Sequence, residues 1–349
     1  MSLHFKYLVL TYFKLIIAVG LVVSASTVNT VNAFEFDVEN PHLCKSTIAE
    51  YGQLADSDIT TDQERLIQAV VSHCQDDFAG SIAIVDDLLK SPQSLTAAEL
   101  TYTHILQSIS LSNVQDKKSC DMAKLSVAFA NSGASRALGI RAELGFYSFC
   151  EVTDENLAHA LQRLYELNKE TVSLEIPHLE LAIHNQISFV YYNLDQNQLA
   201  ADELEAALRI SQEIAADDYI VTLYNLIDAY LDAGQLALAQ QRLTLFASKL
   251  TESSSAFEKW LFYYAQSHYA LLNKDYQQVL SYFEKFDIIE APDSVALVEK
   301  LASVQGLSCF ALKQYDCVDE FVNQYFSQLE PSEESSLKVL KLLIQWYQH

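Results

Sequence analysis

The side chains that could bind a metal or attack a substrate lie along this chain without the spacing that such chemistry needs. No two of its nine histidines are four residues apart. Glu180 and His184 have that spacing, but such a mixed pair is more typical of a contact on a helix surface. There is no G-x-S-x-G elbow and no glycine-rich phosphate loop. We therefore expect no metal, no cofactor and no catalytic residue.

Adjacent carboxylates occur at Asp76-Asp77, Asp86-Asp87 and Asp217-Asp218. They fall where helices are expected to begin or on polar faces, so capping and solvation explain them better than acid–base catalysis. An enzyme whose site lies in the less regular N-terminal half is the remaining catalytic alternative.

The six cysteines form three pairs that are each centred on a predicted turn. Residues equidistant from the turn of an antiparallel helical hairpin lie side by side, so each pair could bridge its own hairpin. A zinc site is the alternative, but no C-x-x-C or H-E-x-x-H spacing is present. Disulfides also fit an oxidising compartment. The predicted bridges are Cys44–Cys74, Cys120–Cys150 and Cys309–Cys317.

Residues 1–33 have the features of a secretory signal peptide. They contain two lysines, no acidic residue and the short apolar run Leu15–Val23, and they end in the cleavage-like pattern Val-Asn-Ala at Ala33. Ser24–Ser26 is a second possible cleavage site. An uncleaved anchor that extends back to Tyr7 is the alternative. We expect a periplasmic or secreted protein without stable membrane insertion after cleavage.

The charge of the chain limits its partners. Its 46 acidic and 22 basic residues give a net charge of −24. Nucleic acid and anionic membrane surfaces are therefore poor partners, whereas a basic protein, a basic peptide or a cation is compatible with the charge. Solubility is the simpler explanation of the same acidity.

The stretch Leu223–Leu243 has the spacing of two helices joined by a tight turn. Tyr230 would lie at the end of the first helix, Gly234 at the turn, and Leu236 and Ala239 on the facing side of the second helix. This Y-x3-G-x-L-x2-A spacing resembles a tetratricopeptide (TPR) repeat.

The pattern recurs along the C-terminal half. Tyr191, Tyr230 and Tyr269 are 39 residues apart, and Cys309 follows after 40. The period is longer than that of a standard TPR, which predicts longer helices. The predicted turn residues are Asp195, Gly234, Asn273 and Lys313.

We therefore predict an all-α fold, a right-handed superhelical solenoid of TPR-like hairpins. Residues 34–175 would form a divergent N-terminal half, and residues 176–349 the regular repeats. The amphipathic segment Ser332–Tyr347 would cap the last hairpin; an interfacial membrane helix is the alternative. Capping boxes are predicted at three helix starts, with N-cap residues Thr61, Thr96 and Ser255.

The resemblance also implies a binding surface, because the first helix of each TPR hairpin faces a groove that binds peptides. Aromatic rings there supply contact area, and amides and carboxylates fix the register of a bound peptide. Packing between helices is the alternative role for these side chains. The candidates are Asn185, Phe189, Tyr192, Tyr224, Asp228, Asp232, Tyr263 or Tyr264, and His268.

The sequence thus favours a non-catalytic periplasmic scaffold that binds a protein or peptide partner. The alternative is an extracytoplasmic sensor or accessory module of an envelope signalling or secretion system, which would bind a small ligand or a membrane partner.

Overall fold

The computed structural model describes residues 61–91, 95–114, 116–150, 156–214, 219–286 and 295–317. These residues form helices, turns and short connections, and they contain no strand. The predicted all-α fold is confirmed.

Thirteen α-helices lie within the described residues. They are α1 (Asp62–Cys74), α2 (Phe78–Leu88), α3 (Ala97–Asn113), α4 (Ser119–Ala130), α5 (Arg136–Phe149), α6 (Leu157–Ser173), α7 (Pro177–Asn193), α8 (Asn197–Glu213), α9 (Tyr219–Asp232), α10 (Leu236–Lys249), α11 (Ala256–Leu272), α12 (Tyr276–Phe286) and α13 (Val295–Ala311).

The helices pack in the order expected of TPR-like hairpins. The first helix of a hairpin contacts its own second helix, as α9 contacts α10 and α11 contacts α12. It also contacts the first helix of the next hairpin, as α9 contacts α11 and α11 contacts α13. Each of these helices buries one apolar stripe that it could not bury alone.

Several helix starts show the caps that the sequence predicts. Thr61, Thr96 and Ser255 each accept a hydrogen bond from the backbone N–H three residues on, and the glutamate at that position accepts one from the N-cap backbone. These reciprocal bonds satisfy donors that a helix start otherwise leaves exposed. The three predicted capping boxes are confirmed.

Six turns that follow helices share one backbone geometry. Two amide groups after each helix donate to carbonyls of its last turn, and the residue between helix and turn has a positive φ. This is the Schellman arrangement, which favours glycine, yet only one of the six residues is glycine. They are Asp76, Glu175, Asp195, Gly234, Lys274 and Lys313.

The third predicted turn residue is wrong by one position. Asn273 has φ −79°, within the right-handed helical region, and Lys274 has φ 61°. The extra residue of this repeat therefore lies on the helix side of the turn. The left-handed turn residues Asp195, Gly234, Lys274 and Lys313 are separated by 39, 40 and 39 residues. Counting back from them identifies the equivalent residues of successive first helices.

The chain divides into two compact units. Among the described residues, the N-terminal unit comprises 61–190 and 209–214, and the C-terminal unit comprises 191–208 and the residues from Tyr219 onward. The N-terminal core is built around α1, α3 and α5, with Ile67, Val70 and Leu138 inaccessible to solvent. The C-terminal core is built around α9, α10 and α11 and is richer in aromatic rings, including Trp260 and Phe246.

Two predicted cysteine pairs lie at disulfide distance within the described residues. Cys120 at the start of α4 and Cys150 after the end of α5 have Cα atoms 4.7 Å apart. For Cys309 and Cys317 the Cα separation is 6.1 Å. Cys74 is also disulfide-bonded, and its predicted partner Cys44 lies outside the described residues.

Several other predictions fall outside the described residues. They concern the leader 1–33, the first part of the divergent half and the capping segment Ser332–Tyr347. Across the portion of the chain that the structure does describe, no helix combines the length and apolar character needed to cross a membrane. The right-handed superhelical arrangement stays a prediction.

Candidate functional site

Equivalent residues of the C-terminal first helices form one face when they are counted back from the left-handed turn residue. Positions ten, six and two before that residue lie four apart, on one side of each helix. We call these nine residues the first-helix face. They are Tyr224, Asp228 and Asp232 on α9, Tyr264, His268 and Leu272 on α11, and Ser303, Leu307 and Ala311 on α13.

Two equivalent residues of neighbouring hairpins meet directly on this face. His268 Nδ1 donates a hydrogen bond to Asp228 Oδ1 over 3.2 Å. Both side chains are largely buried, with exposed fractions of 6% and 7%. The pair joins α9 to α11 and fixes the position of one carboxylate on the face.

The second carboxylate is held from the preceding hairpin. The hydroxyl of Tyr192, at the end of α7, donates a hydrogen bond to Asp232 Oδ2. Burial of the hydroxyl, followed by the negative charges of Asp232 and Asp228, raises the pKa of Tyr192 well above 10.0. The tyrosine therefore stays protonated and remains a donor to Asp232.

Aromatic rings pack next to the Asp228–His268 pair. The rings of Tyr224 and Tyr264 lie 6.2 Å apart between centroids, and Tyr264 stacks on Trp260 at 5.8 Å with an interplanar angle of 7°. The ring of His268 lies 6.0 Å from that of Tyr264. Packed rings of this kind leave little rotamer freedom, so His268 and the carboxylate that it holds are well positioned.

The sequence allows either Tyr263 or Tyr264 as a residue of the face, and the structure distinguishes them. Tyr264 is equivalent to Tyr224 and lies on the first-helix face. Tyr263 lies near Phe262 and near Tyr282 of α12, with centroid distances of 5.6 and 6.5 Å. The 40-residue step into α11 explains the difference, because a strict 39-residue period would select Tyr263.

Asn185 and Phe189 belong to the N-terminal unit, on α7. They occupy the same positions relative to their turn residue as Tyr224 and Asp228 do. Both are buried, with exposed fractions of 1% and 5%, and Asn185 Oδ1 has no hydrogen-bond partner among the described residues.

The first-helix face changes from acidic to apolar along the chain. On α9 it carries two carboxylates, whereas on α11 it carries Leu272 and on α13 Leu307. These leucines are 40% and 44% exposed. Sequence reasoning missed both leucines. Counting back from the predicted turn residue Lys313 reaches Leu307, whereas Leu272 is reached only from the corrected turn residue Lys274.

The other groups considered for chemistry have structural contacts. Asp77 caps α2 by accepting from the backbone N–H of Gly80 over 2.9 Å. His184 Nε2 lies 3.9 Å from a Glu180 carboxylate oxygen. Within the described ranges, no group of three or more histidines, cysteines or carboxylates could hold a metal ion.

Comparison with known proteins identifies the fold. No family model matches the chain, and no curated protein matches it. Similar solved structures include two Rap proteins. The apo form of RapI has a TM-score of 0.58 at 13% identity, over 76% of this chain and 96% of RapI. A Rap protein complexed with Competence and Sporulation Factor has a TM-score of 0.59 at 12% identity, over 81% and 78%. The chain therefore has the TPR-like helical-repeat fold of these structures.

Proposed function

We propose that this protein is a non-catalytic scaffold that binds a protein or peptide partner through the first-helix face of its C-terminal unit. The observation that carries the proposal is the pair of carboxylates, Asp228 and Asp232, each bonded to a side chain of a neighbouring first helix. The favoured partner segment is basic.

The geometry suits a cationic side chain for two physical reasons. Asp228 and Asp232 are one helical turn apart on the same side of α9, so their charges add at one place. Tyr192, which donates to Asp232, lies beside them, and aromatic faces attract ammonium and guanidinium groups. A lysine or arginine of a partner would meet Asp232, and the nearby charge of the buried Asp228 would add to the attraction.

The comparison supports a binding role without identifying the partner. One similar structure is a Rap protein in complex with Competence and Sporulation Factor. We infer by analogy that the TPR-like hairpins of this chain also hold a partner, and we take the chemistry of that partner from the residues of this face.

We further propose that the scaffold acts outside the cytoplasm. The leader-like residues 1–33 and the disulfide-bonded cysteines, Cys120 with Cys150 and Cys309 with Cys317, support this location. Fractionation of cells followed by mass spectrometry tests it. The proposal expects mature protein outside the cytoplasm that starts after the leader, and an intact N-terminus on a cytoplasmic protein would contradict it.

Binding of short labelled peptides tests the main proposal. Fluorescence anisotropy with lysine-rich and glutamate-rich peptides of equal length should show binding only to the former, weakening as salt is raised. Asp228→Asn combined with Asp232→Asn should reduce the affinity about tenfold or more.

Asp202→Asn provides the matched control. Asp202 lies exposed on α8 in the same unit, where it accepts from Gln198 over 2.8 Å. This variant should bind as the unchanged protein does. If the control lost as much affinity per removed charge as the double variant, net charge would act without this face, and the proposal would fail.

A further inference from the structure

The two exposed leucines of the first-helix face lie beyond the carboxylates. Leu272 occupies the position on α11 that Asp232 occupies on α9, and Leu307 occupies the position on α13 that Asp228 occupies on α9. They are 40% and 44% exposed. A single exposed leucine is ordinary. Two exposed leucines on the face that also carries the carboxylates give it an acidic region on α9 followed by an apolar region on α11 and α13.

We infer that the partner is a bipartite extended peptide, with one basic side chain followed by large apolar side chains at a fixed spacing. The basic side chain meets the partly exposed Asp232, close to the buried charge of Asp228, and the apolar side chains pack on Leu272 and Leu307. This inference rests on the proposed function and specifies which peptides the face selects.

The spacing follows from the repeat geometry. Packed helices lie about 8–10 Å apart, and an extended chain advances about 3.3 Å per residue. One step between first helices therefore equals about three residues of an extended partner. Leu272 lies one step from α9 and Leu307 two steps, so apolar residues belong about three and about six positions from the basic residue.

Other exposed leucines of this unit provide an internal control. Leu199 and Leu238 are 42% and 40% exposed. Both lie near the start of second helices, α8 and α10, four residues after the left-handed turn residue. They match the two inferred contact leucines in residue type and exposure but belong to a different set of helices.

A panel of three peptides of equal length tests the inference with the full chain. The probe is the blocked, labelled peptide KGSLGSLGY, which carries the inferred spacing. The peptide KLLGSGSGY contains the same residues with adjacent leucines, and EGSLGSLGY reverses the charge. Affinities are measured by anisotropy for the unchanged protein and for Leu272→Ser, Leu307→Ser and Leu238→Ser. Circular dichroism confirms that each variant is folded.

The inference expects KGSLGSLGY to bind about tenfold more tightly than its permuted form, because two leucine contacts are gained. Leu272→Ser and Leu307→Ser should each remove much of that advantage, and Leu238→Ser should not.

Equal binding of both lysine peptides that still depends on Asp228 and Asp232 would overturn the bipartite inference and leave the proposed function standing. Equal losses from Leu238→Ser and the two face variants would also overturn it. If EGSLGSLGY bound as well as KGSLGSLGY, both the inference and the proposed function would fail.

Discussion

Buried polar side chains have different hydrogen-bond partners in the N-terminal and C-terminal units. In the N-terminal unit, α3 is buried along nearly its whole length, and several of its hydroxyl groups bond to its own backbone, as Thr103 does to the carbonyl of Glu99 over 2.6 Å. His73 Nδ1 pairs with Ser110 Oγ over 2.9 Å. Both units also bury a carboxylate, Glu99 on α3 and Asp228 on α9, but Asp228 bonds to the equivalent residue of the next hairpin, His268, and lies one turn from the partly exposed Asp232.

In a helical repeat, buried polar side chains that belong to the packing can be distinguished from those that could take part in binding. Neutral side chains that satisfy each other or the backbone are part of the packing, and they cost little when fully bonded. In the C-terminal unit, the bonded pair Asp228–His268 lies on a face where Asp232 is partly exposed and Leu272 and Leu307 are exposed. The C-terminal unit is therefore the better candidate for binding.

The largest expected effect compares the two cores. Phe246→Ala removes a fully buried ring of the C-terminal core and should lower the free energy of unfolding by about 3–5 kcal/mol. Leu138→Ala, at an inaccessible position of the N-terminal core, should cost about 2–5 kcal/mol. Urea titration followed by circular dichroism measures both. A loss below about 1 kcal/mol at either site would contradict the assigned packing.

Acid should destabilise the N-terminal unit through His73. Burial lowers the pKa of His73 from 6.5 to about 4. The unfolded chain then binds more protons between these values, so stability is complete above pH 6.5 and falls as the pH drops toward 4. The full loss is about 3 kcal/mol.

His73→Gln tests this effect, because glutamine can still bond to Ser110 but does not titrate. The free energy of unfolding is measured at several pH values for both proteins. The unchanged protein should lose about 3 kcal/mol more than the variant across the window. Parallel pH profiles would show that His73 is not responsible.

A smaller effect compares the ion pairs of the two units. In the C-terminal unit, Glu205 accepts from Arg242 over 2.6 Å and from the hydroxyl of Tyr230 over 2.7 Å. In the N-terminal unit, Glu143 accepts from Arg163 over 2.7 Å. Both pairs are partly exposed, so Glu205→Gln and Glu143→Gln should each cost only about 1 kcal/mol by urea titration. A cost above about 3 kcal/mol would indicate a buried charge.

The smallest effect concerns the turns of the C-terminal unit. Lys274 has φ 61°, a region that favours glycine, so Lys274→Gly should stabilise the protein by about 0.5–1 kcal/mol. Gly234→Ala is the reverse test. A Cβ there would meet no atom within 4 Å, so any loss, about 1 kcal/mol, reflects the backbone alone. Thermal melting measures both, and changes of the opposite sign would contradict the turn geometry.

The sequence predicts the fold well because its signals are local. A few neighbouring residues determine each of these features, as in the capping box of Thr61 with Glu64 and the turn at Gly234. The third turn was displaced by one residue, because no local signal distinguishes Asn273 from Lys274 as the left-handed residue.

The candidate site is less predictable because it depends on register between hairpins. The structure brings together Asp228 and His268, two of the predicted site residues, and both lie in strongly repeating segments. Their role in binding stays a prediction. The choice between Tyr263 and Tyr264 depends on where the extra residue of this repeat lies, and the positive φ of Lys274 fixes that position. The exposure of Leu272 and Leu307 depends on tertiary packing, which no sequence pattern here reports.

Hydrogen exchange of the full chain, with and without KGSLGSLGY at saturating concentration, tests whether the peptide binds at the first-helix face of the C-terminal unit. We expect the peptide to slow exchange in α9, α11 and α13 and to leave α3 unchanged. Slower exchange confined to α3 and its neighbours would place binding in the N-terminal unit and would contradict the proposal.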